Sequence, residues 1–212
     1  MGHPFVADNH RAPVSYDQKG PLLLLPGSRV QPVQRILPCF LDASEKLIKS
    51  KPDLIIEVPV PNLQIKDCVE EIISCRQGLH KHIFIRENLN DLLASTALMS
   101  SGTMSFACAL AGIPGVIAYK AHPITYWLGR FLIKVPFLGM ANLLLPDSPP
   151  YKEFIQADAD GEILSSAVEE IWVDQSKNQQ AFKKASQKLR ESLKNPQELD
   201  AVDWLTDELG RV

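Results

Sequence analysis

Leu22 to Leu25 form a run of four leucines that stops at Pro26-Gly27. A strand that is apolar at every position has no polar face to offer water, so it must be buried on both sides. That requirement points to a parallel sheet with helices packed over both of its faces. The run is followed by Gly27-Ser28-Arg29 and then by Val33, Ile36, Leu37, Phe40, Leu41, Leu47 and Ile48, apolar positions at helical spacing. Pro32 suits the first turn of such a helix, and Pro38 is expected to kink it. The same arrangement recurs downstream. A strand over 97–100 delivers Ser101-Gly102-Thr103, and a helix over 104–111 follows.

A strand that ends in small residues and opens a helix aims free backbone N–H groups at one spot. The helix dipole adds partial positive charge there. Two such turns in one chain suggest a two-pronged grip on a diphosphate, with Gly27, Ser28, Arg29, Ser101, Gly102 and Thr103 as its residues. Arg29 would neutralise a phosphate oxygen. As a cation beside the positive end of a helix, it is otherwise badly placed. Ser101 and Thr103 also suit plain helix capping, which uses the same N–H groups.

Further strands are expected over 54–60, 82–86 and 115–119, with a short strand-like run near 137–140. Helices are expected over 63–75, near 89–94, over 125–134 and from 161 onward. Strands alternating with helices give an α/β fold: a Rossmann-like parallel sheet with helices on both faces, and ligands at the carboxyl ends of the strands. The expected organisation is a linker over 1–20 from a preceding N-terminal domain, a Rossmann-like domain over 21–175, and C-terminal helices over 176–212.

The chain has 212 residues, 45% hydrophobic and 22% charged, and a net charge of −3, which argues against nucleic acid as a partner. Its four cysteines, Cys39, Cys68, Cys75 and Cys108, show no metal-ligand spacing and read as reduced thiols. His80 and His82 lack supporting ligands, so no metal and no cofactor is expected. The apolar stretch 127–145 is broken by Arg130, Lys134, Pro136 and Asn142, which excludes a membrane span. Asn142 interrupts an apolar run and would need partners for its amide if buried, which makes it a further candidate. Tyr126, Trp127, Arg130 and Lys134 outline a face suited to an anionic membrane surface or to ordinary snorkelling.

Taken in order, these segments resemble the lipid-A-disaccharide synthase family of GT-B glycosyltransferases, specifically its C-terminal donor-binding half. The resemblance rests on Gly2-His3-Pro4, Leu24-Leu25-Pro26-Gly27-Ser28-Arg29, Leu37-Pro38-Cys39-Phe40-Leu41, Ser101-Gly102-Thr103, Thr125-Tyr126-Trp127-Leu128, Asn142-Leu143-Leu144 and Glu153-Phe154-Ile155-Gln156. It implies transfer of 2,3-diacylglucosamine from its UDP form to lipid X. The implied setting is the cytoplasm, peripheral on the inner membrane, and the implied partner is an N-terminal half or a second copy of the chain. Four positions depart from the family pattern. Pro32 and Ala107 stand where the family has glutamates, Lys120 stands where it has arginine, and Leu145-Pro146-Asp147-Ser148 replaces Ala-Gly-Arg-Glu. The alternatives are a degenerate, non-catalytic sugar-nucleotide-binding or interaction module, or another sugar-nucleotide enzyme of the same architecture such as an epimerase.

Overall fold

A computed structural model describes residues 13–121 and 136–194. Among the described residues six strands form one wholly parallel sheet: β2 (Leu22–Leu25), β3 (Ile56–Pro59), β4 (Ile83–Arg86), β6 (Thr96–Met99), β7 (Gly115–Tyr119) and β8 (Lys152–Ile155). Their spatial order is β4-β3-β2-β6-β7-β8. Numbered by appearance within this sheet, that is 3-2-1-4-5-6, the order of dinucleotide-binding folds, with the direction of winding reversing between β2 and β6. A second, two-stranded parallel sheet pairs β1 (Val14–Tyr16) with β5 (Leu92–Ala94).

The leucine run does what its composition demands. Leu22 and Leu24 enter one core with α1 (Val30–Ser50), α2 (Leu63–Ser74) and α5 (Gly161–Val173). Leu23 and Leu25 enter a second core, on the opposite face, with α3 (Thr103–Leu110) and the C-terminal helix α6 (Gln175–Lys194). Strand alternation sends successive side chains to opposite faces, so a run apolar at every position supplies both cores. All four leucines are at most 5% exposed. The central strands also pack unusually close. A Cβ on Gly115 would lie 2.4 Å from the Ala97 carbonyl oxygen, so any side chain there would force β6 and β7 apart.

α6 is tied to the end of α3. Leu110 leaves a carbonyl outside the helical ladder, and it accepts from Ser186 Oγ at 2.6 Å and from Arg190 Nε and Nη2 at 3.1 and 2.9 Å. A guanidinium at a helix C-terminus also meets its partial negative charge. Residues 175–194 are therefore packed on the sheet's own second layer, with Leu189 fully buried.

Several local expectations change. The segment near 89–94, expected as a helix, holds strand β5, because Leu92 and Ala94 bury against Val14 and pair with β1. That partner comes from 14–16, within the stretch read as a linker. The strand expected near 137–140 is instead the approach to a short helix, α4 (Met140–Leu144). Strand β8 went unforeseen. Pro38 lies inside α1, which continues through it to Ser50.

The second core contains Cys108, fully buried, whose thiol burial pushes from about 9.0 up to about 12. A raised folded value means the native state keeps a proton that the unfolded chain releases. Stability from this group is therefore intact below pH 9 and is lost between about 9 and 12. The midpoint of thermal unfolding should fall across that window, and Cys108→Ala should flatten the fall. Equal slopes for variant and parent would contradict it.

Candidate active site

The cleft sits where the fold places ligand sites in such sheets, outside the carboxyl ends of strands at the reversal of winding. β2 and β6 run side by side with Leu25 opposite Met99. One more bond, Ser100 N–H to the Leu25 carbonyl at 2.8 Å, continues the ladder to the point where both chains turn. Gly27-Ser28-Arg29 and Ser101-Gly102-Thr103 are thereby brought together. All six residues line one cleft of about 460 Å³.

The first turn requires its glycine. Gly27 has φ +115°, and a Cβ there would lie 3.3 Å from Ser100 Oγ. Arg29 is the residue that caps α1, with extended backbone and no side-chain cap. The first-turn N–H groups of Val30 and Gln31 lie outside the helical ladder, and Pro32 has none to offer. At the second turn Ser105 reaches back. Its hydroxyl donates to the Gly102 carbonyl at 2.7 Å and accepts from the Gly102 N–H at 3.1 Å. The donors left to the cleft are those at the start of α3, on Thr103, Met104 and Ser105. A Cβ on Gly102 would meet nothing within 4 Å, so the wall there is open.

The Ser101 side chain is already committed, since its hydroxyl donates to the Leu138 carbonyl at 2.7 Å. Beyond it lies a polar network. Glu153 accepts from Leu138 N–H at 2.7 Å, from Gly139 N–H at 3.0 Å and from Asn142 Nδ2 at 2.7 Å. Asn142 is fully buried, and it exchanges two further bonds with the Tyr151 backbone at 2.9 and 3.0 Å. Asn142 is thus placed in the support behind the second turn and is absent from the cleft lining. The carboxylate of Glu153 explains why 137–140 is no strand: it satisfies the N–H groups that open α4.

Other strand ends contribute residues that the turn motifs did not reveal. Pro59 ends β3 and Pro61 lies just beyond it, and Tyr119 ends β7 with Lys120 next after it. The signal that could have found them was position alone, the carboxyl end of a strand in a parallel sheet. Lys120 brings a second cation to the cleft that Arg29 lines. Ala107, 3% exposed, sits in the second core and is not among the residues that line the cleft. His3, Tyr126, Trp127, Arg130 and Lys134 lie outside the described residues. Among the described residues no helix is long and apolar enough to cross a membrane.

Solved structures share the fold. The chain aligns over 94% of its length with a mutant of S. aureus TarM in a complex that includes UDP, at TM-score 0.51 and 11% identity, covering 36% of that chain. It aligns over 86% with the pneumococcal O-GlcNAc transferase GtfA in complex with UDP and GlcNAc, at TM-score 0.50 and 12% identity, covering 35% of that chain. Among curated sequences it is 31% identical over 174 residues to the lipid-A-disaccharide synthase of an Enterobacter species, covering 80% of this chain and 45% of that protein. It is 34% identical over 158 residues to that of Pectobacterium atrosepticum, covering 74% and 41%. The chain thus spans less than half the length of these relatives. A family model described as lipid-A-disaccharide synthetase matches residues 5–204, so the chain belongs to the lipid-A-disaccharide synthetase family.

Proposed function

We propose that this chain is the donor-binding half of a lipid-A-disaccharide synthase and that its cleft holds the diphosphate of UDP-2,3-diacylglucosamine. The observation that carries the reading is the juxtaposition of Gly27-Ser28-Arg29 with Ser101-Gly102-Thr103 in one cleft that also contains Lys120. Two helix N-termini and two cations are suited to the charge of a diphosphate. In the reaction, a hydroxyl of lipid X attacks the anomeric carbon as its bond to the β-phosphate oxygen breaks. Negative charge then grows on the departing UDP. Preorganised N–H groups and cations that meet this charge lower the barrier without moving during the step. The acceptor site and the general base belong to an N-terminal half, or to a second copy of the chain. The donor and acceptor are both lipids, so the setting is the cytoplasmic face of the inner membrane.

Thermal unfolding with and without UDP tests the reading. Ligand at about 100 times its Kd stabilises by roughly 2.7 kcal/mol, which for a chain of this size raises the midpoint by roughly 5–10 °C. An unchanged midpoint in millimolar UDP would remove the donor site from this cleft.

A further inference from the structure

We propose that Cys39 and Lys120 form a reversible covalent cross-link under peroxide, which switches off one of the two cations of the cleft. Lys120 Nζ lies 3.0 Å from Cys39 Sγ and donates a hydrogen bond to it. Cys39 is on α1 and Lys120 follows β7, so the pair joins two elements that wall the site. The other three cysteines have no lysine nitrogen as a hydrogen-bond partner among the described residues. Cys108 is fully buried with its thiol pushed up to about 12, and Cys68 is buried with its thiol also raised by burial. Cys75 is exposed, and its thiol donates to the Glu71 carbonyl at 3.7 Å. Cys39 is only 7% exposed, which shields it from bulky reagents. Lys120, however, borders both the cleft and a second, open recess beside Arg35, Ala121 and Gln156. A water-sized oxidant entering either one reaches Lys120, whose Nζ lies 3.0 Å from Cys39 Sγ.

The chemistry balances with hydrogen peroxide as the oxidant. Sulfur gives two electrons to the peroxide, the O–O bond breaks, and Cys39 becomes a sulfenic acid with release of one water. The Lys120 amine, having lost its extra proton to solvent, attacks that sulfur. An S–N bond forms and the sulfenic hydroxyl leaves as a second water. One thiol, one amine and one peroxide thus give one sulfenamide and two waters. A thiol reductant attacks the sulfur and returns the amine. The sulfenamide nitrogen carries no charge and is held against α1, so of the two cations that the described residues bring to the cleft Arg29 alone remains. The expected consequence for UDP rests on the diphosphate reading of the cleft, whereas the cross-link itself does not.

The test is peptide mapping by mass spectrometry of the full chain after treatment with hydrogen peroxide. The peptides carrying Cys39 and Lys120 should appear joined, with a loss of about 2 Da, and should separate again with dithiothreitol. Cys39→Ala and Lys120→Gln should each abolish the joined species, while Cys75→Ala should leave it. A Cys39 that stops at sulfenic or sulfinic acid with Lys120 free overturns the proposal, as does a Cys39 that peroxide leaves unmodified. UDP titration of the untreated protein reports separately on the cleft. Where UDP binds, the cross-linked protein should bind it about tenfold more weakly, and unchanged affinity would overturn the switch.

Discussion

Arg29→Ala should weaken UDP binding by roughly tenfold to a hundredfold while leaving the fold intact. A charge-assisted hydrogen bond to phosphate contributes roughly 1.5–3 kcal/mol, and each 1.4 kcal/mol is about a factor of ten in Kd. Arg29 is exposed in the open cleft, which favours the lower part of that range and makes the effect sensitive to salt. The unliganded variant should be no less stable than the parent. Removing a cation from a helix N-terminus is favourable by about 0.3–1 kcal/mol. Calorimetric titration with UDP, and with uridine as the ligand lacking phosphate, separates these effects, because uridine affinity should not change. Equal UDP affinity in parent and variant would show that the cleft does not hold the diphosphate next to Arg29.

Glu153→Ala should destabilise the protein by about 3 kcal/mol or more, although Glu153 lines no part of the cleft. Its two carboxylate oxygens accept three bonds, from Leu138 N–H, Gly139 N–H and Asn142 Nδ2. Removing it strands three donors in a part-buried site, at about 1–3 kcal/mol for each that water cannot reach. Glutamine is no remedy, because its amide must turn an N–H toward one of those donors where an ionised carboxylate only accepts. Glu153→Gln should therefore lose about half as much. The midpoint of urea unfolding measures both. Ser101 Oγ is bonded to the Leu138 carbonyl, so slackening this support should also loosen the second turn and weaken UDP binding. A Glu153→Ala variant that unfolds at the parent's midpoint would show that the network carries no such load.

Much of the fold was legible because local composition left few alternatives. Four leucines in a row demanded cover on both faces, and the two cores receive them alternately. Both turns followed from small residues placed between an apolar strand and an amphipathic helix, and both line the cleft. Harder to read were segments whose structure depends on a distant partner. Leu92–Ala94 has nothing strand-like about it until Val14–Tyr16 lies alongside. Residues 137–140 read as a strand until the Glu153 carboxylate, 14 positions beyond Gly139, fixes them as the entry to a helix. Asn142 showed its need for partners in the sequence, and only the packing revealed that Tyr151 and Glu153 supply them.

By itself the sequence determined the α/β alternation, the demand for a two-faced sheet and the identity of both phosphate-suited turns. These follow from periodicity and from the backbone freedom of a few residues, which are properties of neighbours along the chain. It could not say that β2 and β6 would be adjacent, because 70 residues separate them and strand order is a choice among long-range pairings. Tertiary structure made that choice. In doing so it turned two separate helix openings into one cleft, brought Lys120 in from a third strand, and set Cys39 against it.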